Sequence, residues 1–358
     1  TAAMKHQAIH YLGLDVHQAT VAATSRNETG AVVLKATVPT EAKALVGLVR
    51  SQGPRVHVAF EEGTQAQWLH DLLQPVAERV LVCNVRGKKE LVNKNDEIDS
   101  DLLSERLRVG SLKGVYHGAA AVLALKEMVR NYSNLVEDTT RVMQRIKAMF
   151  RAQAILTPGK GVYGVRQRAT WMSKLEGAGG RLRAESLFTQ LDVLLPLRRK
   201  AKAAMIAEAR RHPAFRILRS IPFLGPVRVA QIIAIVSTPF RFRGKRRFWP
   251  YIGLAVVTHS SADNEIVAGT IRRRRRAPLT RGLNRNHNRV LKNVFKGAAT
   301  AAAYKDGPLK DLFTASVARG VDPDMALLTL ARKIASVALR LWKKGELWDP
   351  AKLTTQAT

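Results

Sequence analysis

The order of apolar segments in the first third of the chain restricts the possible folds more than any other feature. Three strand-like segments come first, and helical and strand-like segments then alternate, at residues 9–16, 20–24, 31–38, 40–49, 56–61, 68–73, 80–83 and 94–109. Asn27-Glu28-Thr29-Gly30 is a turn signal between the second and third strands. Thr40 is a candidate N-cap for the first helix. The pattern predicts three antiparallel strands followed by helix, strand, helix, strand and helix.

This order is that of a ribonuclease H-like α/β fold, in which acids at strand ends and on the closing helix meet at one sheet edge. Asp15 ends the first strand and Glu61 the fourth. Asp96 and Asp99 are three residues apart and share one face of the closing helix. Four carboxylates in one place repel one another unless cations bind between them. The sequence therefore predicts a site for Mg²⁺ (or Mn²⁺), which would stabilise charge on a transferring phosphate.

Each acid also has a simpler interpretation. Asp96 is a natural helix N-cap, and Asp15 could end its strand in a turn. Glu61 could be a surface acid beside Glu62, and strand alternation lets only one of these two point inward. The choice between Glu61 and Glu62 stays open at this point.

The charge of the chain indicates a polyanionic partner. Its 358 residues carry 59 Lys and Arg against 28 Asp and Glu, a formal net charge of +31. Because 46% of the residues are hydrophobic, the chain can build cores and is not a disordered basic tail. Nucleic acid is the usual partner of such a protein, with a ribosomal or membrane-surface role as the alternative. The single cysteine, Cys83, and the lack of a long apolar run predict a cytoplasmic, nucleoid-associated protein with no membrane partner.

The apolar spacing changes after residue 120. From Val122 to Phe150 apolar residues recur every three or four positions, which is typical of a long helix with a narrow apolar seam. Pro158-Gly159 interrupts the pattern, and a second helical stretch follows Gly179-Gly180, where Pro196 should kink or interrupt it. We interpret the region as an antiparallel coiled-coil arm for dimerisation, with an ordinary helical domain as the alternative. The predicted domains are residues 1–115, 116–212 and 213–358.

The last third of the chain, a mainly helical domain, contains several nucleic-acid signals. Ile221-Pro222-Phe223-Leu224-Gly225 resembles the turn of a helix-hairpin-helix, which binds phosphate through turn amides and a helix N-terminus. Aromatic residues alternate with cations over 240–251, and further arginines follow. The expected nucleic-acid contacts are Arg241, Arg243, Lys245, Arg246, Arg247, Arg272, Arg273, Arg274, Arg275, Arg276, Arg281 and Arg285. The pair Ser260-Ser261 lies among these cations, where a hydroxyl could attack a phosphodiester.

Together these motifs resemble the insertion-sequence transposases of the IS110 family, which are related to the Piv-type DNA invertases. The resemblance covers nearly the whole chain, and its order and spacing are specific. The residues that carry it are 13–17, 60–61, 94–99, 221–226, 251–254, 260–261 and 282–284.

The resemblance implies a RuvC-like domain, a coiled-coil arm and a carboxyl-terminal transposase domain. It implies Asp15, Glu61, Asp96 and Asp99 as a Mg²⁺-binding tetrad and a serine that links covalently to a DNA strand end. Ser261 matches that serine, with Ser260 as the fallback, because Ala262 stands where the family has glycine.

It further implies donor and target DNA as substrates, a structured guide RNA that pairs with both, and a dimer or tetramer. Two alternatives remain: a metal-dependent endonuclease or junction resolvase that uses only the acids, and a non-catalytic nucleic-acid-binding protein.

Overall fold

The computed structural model describes residues 8–84, 96–115, 122–259, 264–273 and 279–354. The chain divides into two compact units, residues 1–118 and 119–358. In the part that the structure describes, no helix is long and apolar enough to cross a membrane. The first unit contains β1 (His10–Val16), β2 (Thr20–Arg26), β3 (Val32–Pro39), α1 (Ala42–Ser51), β4 (Val56–Glu61), α2 (Ala66–Leu73), β5 (Arg79–Cys83) and α3 (Asp96–Arg108). The predicted order of strands and helices is confirmed.

The five strands form one mixed sheet in the order β3-β2-β1-β4-β5. β1 pairs antiparallel with β2 and parallel with β4, and β4 pairs parallel with β5. The two parallel pairings require crossovers, which α1 and α2 supply. The carboxyl ends of β1, β4 and β5 therefore lie at the same edge of the sheet.

Alternation along β1 decides which helices cover each face of the sheet. Leu12 and Leu14 are fully buried in a core with residues of α1 and α2, such as Leu45 and Leu69. Gly13 points to the opposite face, where a Cβ on it would lie 2.3 Å from the backbone oxygen of Ser100 in α3. The sheet thus has α1 and α2 on one face and α3 on the other.

Two details at helix starts differ from prediction or refine it. Thr40 is not the N-cap of α1: Glu41 occupies that position, and the Thr40 hydroxyl donates to the backbone oxygen of His17 at 2.9 Å. This hydrogen bond to a residue 23 positions away engages the Thr40 hydroxyl in place of the helix start. α3 begins at Asp96 itself, the residue considered as its cap, and the Asp96 side chain lies outside the described part of the chain.

The second unit is mainly helical, with two small two-stranded sheets, β6 with β9 and β7 with β8. Its helices are α4 (Leu123–Ala152), α5 (Arg168–Met172), α6 (Ala178–Arg210), α7 (Ala214–Ser220), α8 (Pro226–Val236), α9 (Lys245–Tyr251), α10 (Arg289–Ala303), α11 (Pro308–Ala318), α12 (Pro323–Lys344) and α13 (Ala351–Thr354). Its strands are β6 (Val256–His259), β7 (Asn264–Val267), β8 (Thr270–Arg273) and β9 (Leu279–Leu283).

The two long helices α4 and α6 pack against each other as an antiparallel pair. The carboxyl-terminal half of α4 shares a core with the amino-terminal half of α6, through Ile146, Phe150 and Phe188. At the other end, Leu125 of α4 and Met205 of α6 join the core of the following helices. The two predicted helices therefore exist, and one end of the pair belongs to the same core as the carboxyl-terminal region.

Two predictions about α6 need correction. Pro196 does not interrupt the helix, which continues from Ala178 to Arg210. Leu191 before the proline and Ala201 after it are both buried, so packing on each side holds the helix together across the lost hydrogen bond. Gly179 and Gly180 lie inside the first turn of the helix and do not precede it.

The carboxyl-terminal helices α10, α11 and α12 pack against one another, and α10 also contacts α8. Small buried residues such as Ala298, Ala302 and Ala335 let α10 and α12 approach each other, as their alanine content predicts. α12 ends at Gly345, which has the left-handed conformation (φ 70°) expected of a glycine after a helix.

Candidate metal and nucleic-acid site

The sheet brings Asp15 and Glu61 to the same level at one edge. Leu14 of β1 is paired with Phe60 of β4, and Asp15 and Glu61 are the next residues on these two parallel strands. Adjacent strands lie about 4.8 Å apart, and paired residues of parallel strands point to the same face. Asp15 lies two residues after Gly13, and therefore both acids project from the face that α3 covers.

α3 runs antiparallel to β1 on this face, so that its N-terminus lies toward Asp15. Near the start of β1, the Arg26 side chain of β2 donates to the Asp101 carboxylate at 2.7 Å. Two residues further toward the end of β1, the hydroxyls of Thr24 and Ser100 are hydrogen-bonded at 3.0 Å. Asp15 lies about 6.6 Å beyond the level of Thr24. A helix covers that distance in about four residues, because it rises about 1.5 Å per residue. The first turn of α3, which contains Asp96 and Asp99, therefore lies toward the level of Asp15.

Asp15 already has a partner, His17, directly after its own strand. The Nε2 atom of His17 lies 3.0 Å from its Oδ2 atom, and the Asp15 side chain is 20% exposed. Among the side chains that the structure describes, no group of three or more His, Cys, Asp or Glu is close enough to hold a metal ion. The side chain of Asp96 is outside that set.

Glu61 and Glu62 have different surroundings. Glu61 is paired with Cys83 of β5, and burial together with the charge of Glu61 raises the pKa of the Cys83 thiol to about 11. Glu62 lies just beyond the strand, where its backbone N–H donates to the Cys83 oxygen at 2.8 Å and its carboxylate lies 3.5 Å from the Asn84 amide. Alternation turns the Glu62 side chain away from the face of Asp15.

Ser260 and Ser261 follow directly after β6 and lie outside the described residues. The segments around them are held by two residues of the motifs noted in the sequence. Gly253 (φ 68°) lies so close to His287 that a Cβ would meet its ring at 2.5 Å. The side-chain amide of Asn284 donates to the backbone oxygens of Pro250 and Asn286, at 3.2 and 2.8 Å. These contacts hold the segment before β6 and the segment after β9, and these two strands pair with each other.

The turn between α7 and α8 is held by two arginines. Arg219 donates to the Leu224 oxygen at 2.8 Å, and Arg228 donates to the Phe223 oxygen at 2.7 Å. Phe223 has a positive φ of 66°, a strained conformation for an aromatic residue. Gly225 is the N-cap of α8. Two helices flank the turn as predicted, and its phosphate-binding role remains a proposal.

The predicted nucleic-acid contacts fall into three groups. Arg241 is engaged within the protein, since it donates to the Ile235 oxygen at 3.2 Å and its guanidinium lies 4.8 Å from the centre of the Tyr251 ring. Six other cations are exposed: Arg243, Lys245, Arg246, Arg247, Arg272 and Arg285. The side chains of Arg273 and Arg281, and the whole of 274–276, lie outside the described part.

Comparisons with known proteins first define a class. Residues 12–153 match the family model of DEDD transposases of the IS110 type, described as a transposase. This segment contains the acids, the five-stranded sheet and α4. Residues 215–313 match a second model, described as the transposase of the IS116/IS110/IS902 family. This segment contains the α7–α8 turn, the basic segment and the serines.

Two curated relatives are similar to part of this chain. The chain is 29% identical over 140 residues to an uncharacterized 44.8 kDa protein of insertion element IS116 from Streptomyces clavuligerus, covering 39% of this chain and 32% of that protein. It is 29% identical over 164 residues to an uncharacterized 43.6 kDa protein of insertion element IS110 from Streptomyces coelicolor, covering 46% of this chain and 37% of that protein. The matched part is thus about a third of each relative. The chain belongs to the IS110 family of transposases.

Proposed function

We propose that this protein is a DNA transposase that excises and inserts its own element, with an acidic metal site in the first unit and a serine nucleophile in the second. What supports the proposal is that parallel pairing sets Asp15 and Glu61 at one level of the sheet face that α3 covers, and that Asp96 and Asp99 lie in the first turn of α3. The strand order β3-β2-β1-β4-β5 supports a RuvC-like, ribonuclease H-like interpretation of this unit.

The donor set suits a hard divalent cation. All four candidate ligands are carboxylates, and Mg²⁺ and Mn²⁺ prefer such oxygen donors. When bound, the ion would supply charge stabilisation at a transferring phosphate. Asp15 and Glu61 would hold it from the sheet, and Asp96 and Asp99 from the helix. His17, 3.0 Å from Asp15, would orient that carboxylate.

Ser261, with Ser260 as the alternative, would provide the nucleophile. Its oxygen would bond to a DNA phosphorus, its proton would leave, and the P–O bond to the adjacent nucleotide would break, releasing a free hydroxyl at one strand end. Attack by the hydroxyl of another strand would break the serine–phosphorus bond and join the strands. Arginines of the surrounding segment, such as Arg272 and Arg285, would stabilise the charge that develops on the phosphate.

Partners complete the proposal. Donor and target DNA are the substrates, and a structured RNA would select them by base pairing while the basic surface contacts backbone. The α4–α6 pair, acting as a coiled-coil arm, would join two or four copies. Sequencing the RNA that co-purifies with the full chain tests the role of the RNA. The proposal predicts an RNA encoded beside the gene, and a random population of cellular RNA would contradict it.

Covalent trapping tests the chemistry. Labelled DNA that carries the element's ends is incubated with protein and Mg²⁺, and a denaturing gel detects label bound to protein. The wild type should form an adduct that Ser261→Ala loses and Ser260→Ala keeps; the reverse would assign Ser260. Asp15→Asn should also lose it, whereas Lys43→Ala on the opposite sheet face should not.

Other outcomes separate the alternatives. If neither serine matters but Asp15→Asn abolishes cleavage, the protein is a metal-dependent endonuclease or resolvase. If Asp15→Asn leaves every activity unchanged and Mg²⁺ has no effect, it is a non-catalytic binding protein.

A further inference from the structure

A cavity in the second unit has an unusual charge. Its volume is about 830 Å³, and it lies between α12 and the segment that begins α9. Seven of its thirteen lining residues are lysine or arginine, and none of these thirteen is acidic. A cavity of this size accommodates a ligand as large as one or two nucleotides.

One face of α12 supplies most of these cations. Lys333, Arg340 and Lys344 are separated by seven and four residues, which places them on one side of the helix, and Arg332 lines the cavity beside them. Lys245 of α9 faces them across the cavity. The sequence motif at 240–251 is therefore only one wall of a larger basic site.

Two cavity cations maintain the structure. Arg332 donates to the backbone oxygen of Leu254 at 2.6 Å, and Lys343 donates to that of Phe242 at 2.5 Å. These bonds connect α12 to both ends of the α9 segment. They fix the shape of the cavity before any ligand binds.

The remaining cations lack compensating charge. Among the described residues, no carboxylate lies within 4.0 Å of Lys245, Lys333 or Arg340, and only Lys344 is near one, 3.7 Å from Glu346. Burial lowers the pKa of Lys333, and the charges of Arg340 and Lys245 lower it further. The free protein therefore holds mutually repelling cations in a partly enclosed space, which an anionic ligand would relieve.

The cavity is built to bind backbone and not bases. The Trp249 indole donates to the Ser336 hydroxyl at 3.1 Å, and cations of Lys245 and Arg332 lie 5.9 and 5.7 Å from the centre of its ring. Two cations therefore already lie beside the one aromatic ring that lines the cavity. The lining offers charged donors in several directions, which match phosphate oxygens.

We propose that this cavity binds the sugar–phosphate backbone of a single-stranded segment of nucleic acid, taking at least two consecutive phosphates on Lys245, Lys333 and Arg340. At about 830 Å³ the cavity holds one or two nucleotides of a single strand, which is less than a double helix would need. The inference rests on the proposed function only in requiring a nucleic-acid partner. A looped strand of RNA and a displaced strand of DNA share this chemistry, and the experiment distinguishes them.

The test measures binding of labelled single-stranded DNA, single-stranded RNA and duplex DNA to the full chain over a range of salt concentrations. The variant is Lys333→Gln with Arg340→Gln. The control is Lys43→Gln with Arg50→Gln, which removes the same charge from exposed positions of α1. The cavity variant should weaken single-strand binding about tenfold or more. Its salt slope should fall by about 1.4, since each single-strand phosphate contact contributes about 0.7.

The preferred single strand, DNA or RNA, is the one whose affinity falls more in the cavity variant. Equal losses in the cavity and control variants would overturn the proposal, and so would a loss restricted to duplex DNA. Failure of the proposed function is separate, because it appears as cleavage that survives Asp15→Asn.

Thermal unfolding gives a readout that does not depend on oligonucleotides. Because the cavity cations repel one another, Lys333→Gln with Arg340→Gln should melt at a higher temperature than the wild type. Inorganic tripolyphosphate should raise the melting temperature of the wild type and of the α1 control, and it should raise that of the cavity variant much less. A cavity variant that melts lower and still responds to tripolyphosphate would contradict the proposal.

Discussion

Gly13 connects the fold to the candidate metal site, and replacing it by alanine should damage both. An added Cβ would lie 2.3 Å from the Ser100 oxygen, 2.5 Å from the Ser104 nitrogen and 3.0 Å from the Leu103 Cβ. Two of these atoms belong to the α3 backbone and cannot turn away. An ordinary contact begins at 3.4 Å, so α3 must move by about 1 Å.

The size of the effect follows from that displacement. Overpacking of this kind costs about 1–3 kcal/mol. The acids at the start of α3 would move relative to Asp15 by a similar distance, and a misplacement of about 1 Å reduces a rate about 100-fold. Gly13→Ala should therefore lower both the local stability of α3 and strand cleavage.

Hydrogen exchange of the full chain measures the local opening of α3, and a cleavage assay measures the second effect. Gly47→Ala is a matched control, because Gly47 lies exposed in α1 and nothing lies within 4 Å of an added Cβ. It should stabilise α1 by about 0.5–1 kcal/mol. If the amide exchange rates of α3 and the strand-cleavage rate of Gly13→Ala equal those of the wild type, α3 does not pack directly on β1.

Three further predictions concern other contacts. Arg26→Ala removes a hydrogen bond of 2.7 Å to Asp101, and should lower the free energy of local opening of α3 by about 2–3 kcal/mol. Amide hydrogen exchange in α3 should become correspondingly faster, and Arg26→Lys should lie between the wild type and Arg26→Ala. Cys83, whose thiol has a pKa of about 11, should react with iodoacetamide at pH 8 about 100-fold more slowly than an ordinary cysteine. The contribution of the protonated thiol to the free energy of unfolding is complete below pH 9 and is lost as the pH rises toward 11. Arg168 lowers the pKa of Asp192, so the stability from this pair should fall as the pH drops below about 4, and Asp192→Asn should abolish that dependence in melting curves.

Local patterns predict much of the first unit. Alternation in β1 buries Leu12 and Leu14, and turn signals separate the strands, so element order is encoded in short segments. The level of Asp15 beside Glu61 then follows from parallel pairing. The position of α3 depends on Gly13 and Thr24, whose contacts join residues about 80 positions apart. Such contacts leave no local signal.

The details that differ from prediction have the same origin. Thr40 has the right residue type for a cap but finds a partner in His17. Pro196 is tolerated because tertiary packing outweighs its local preference. Arg241 belongs to a basic run, yet it binds carbonyl groups at the end of α8.

The basic cavity could not be predicted from the sequence, although the cations that line it are visible there. Cations recur along α12 at helical spacing, on a helix whose apolar residues indicate only packing. Their common site with Lys245 becomes visible only when α12 and α9 are placed together.

Binding of Mn²⁺ to the full chain, followed by electron paramagnetic resonance, tests the central proposal most directly. The account predicts that the wild type binds the ion at a site that Asp15→Asn and Glu61→Gln lose and that Glu62→Gln keeps. Equal Mn²⁺ binding by the wild type and by Asp15→Asn would contradict it.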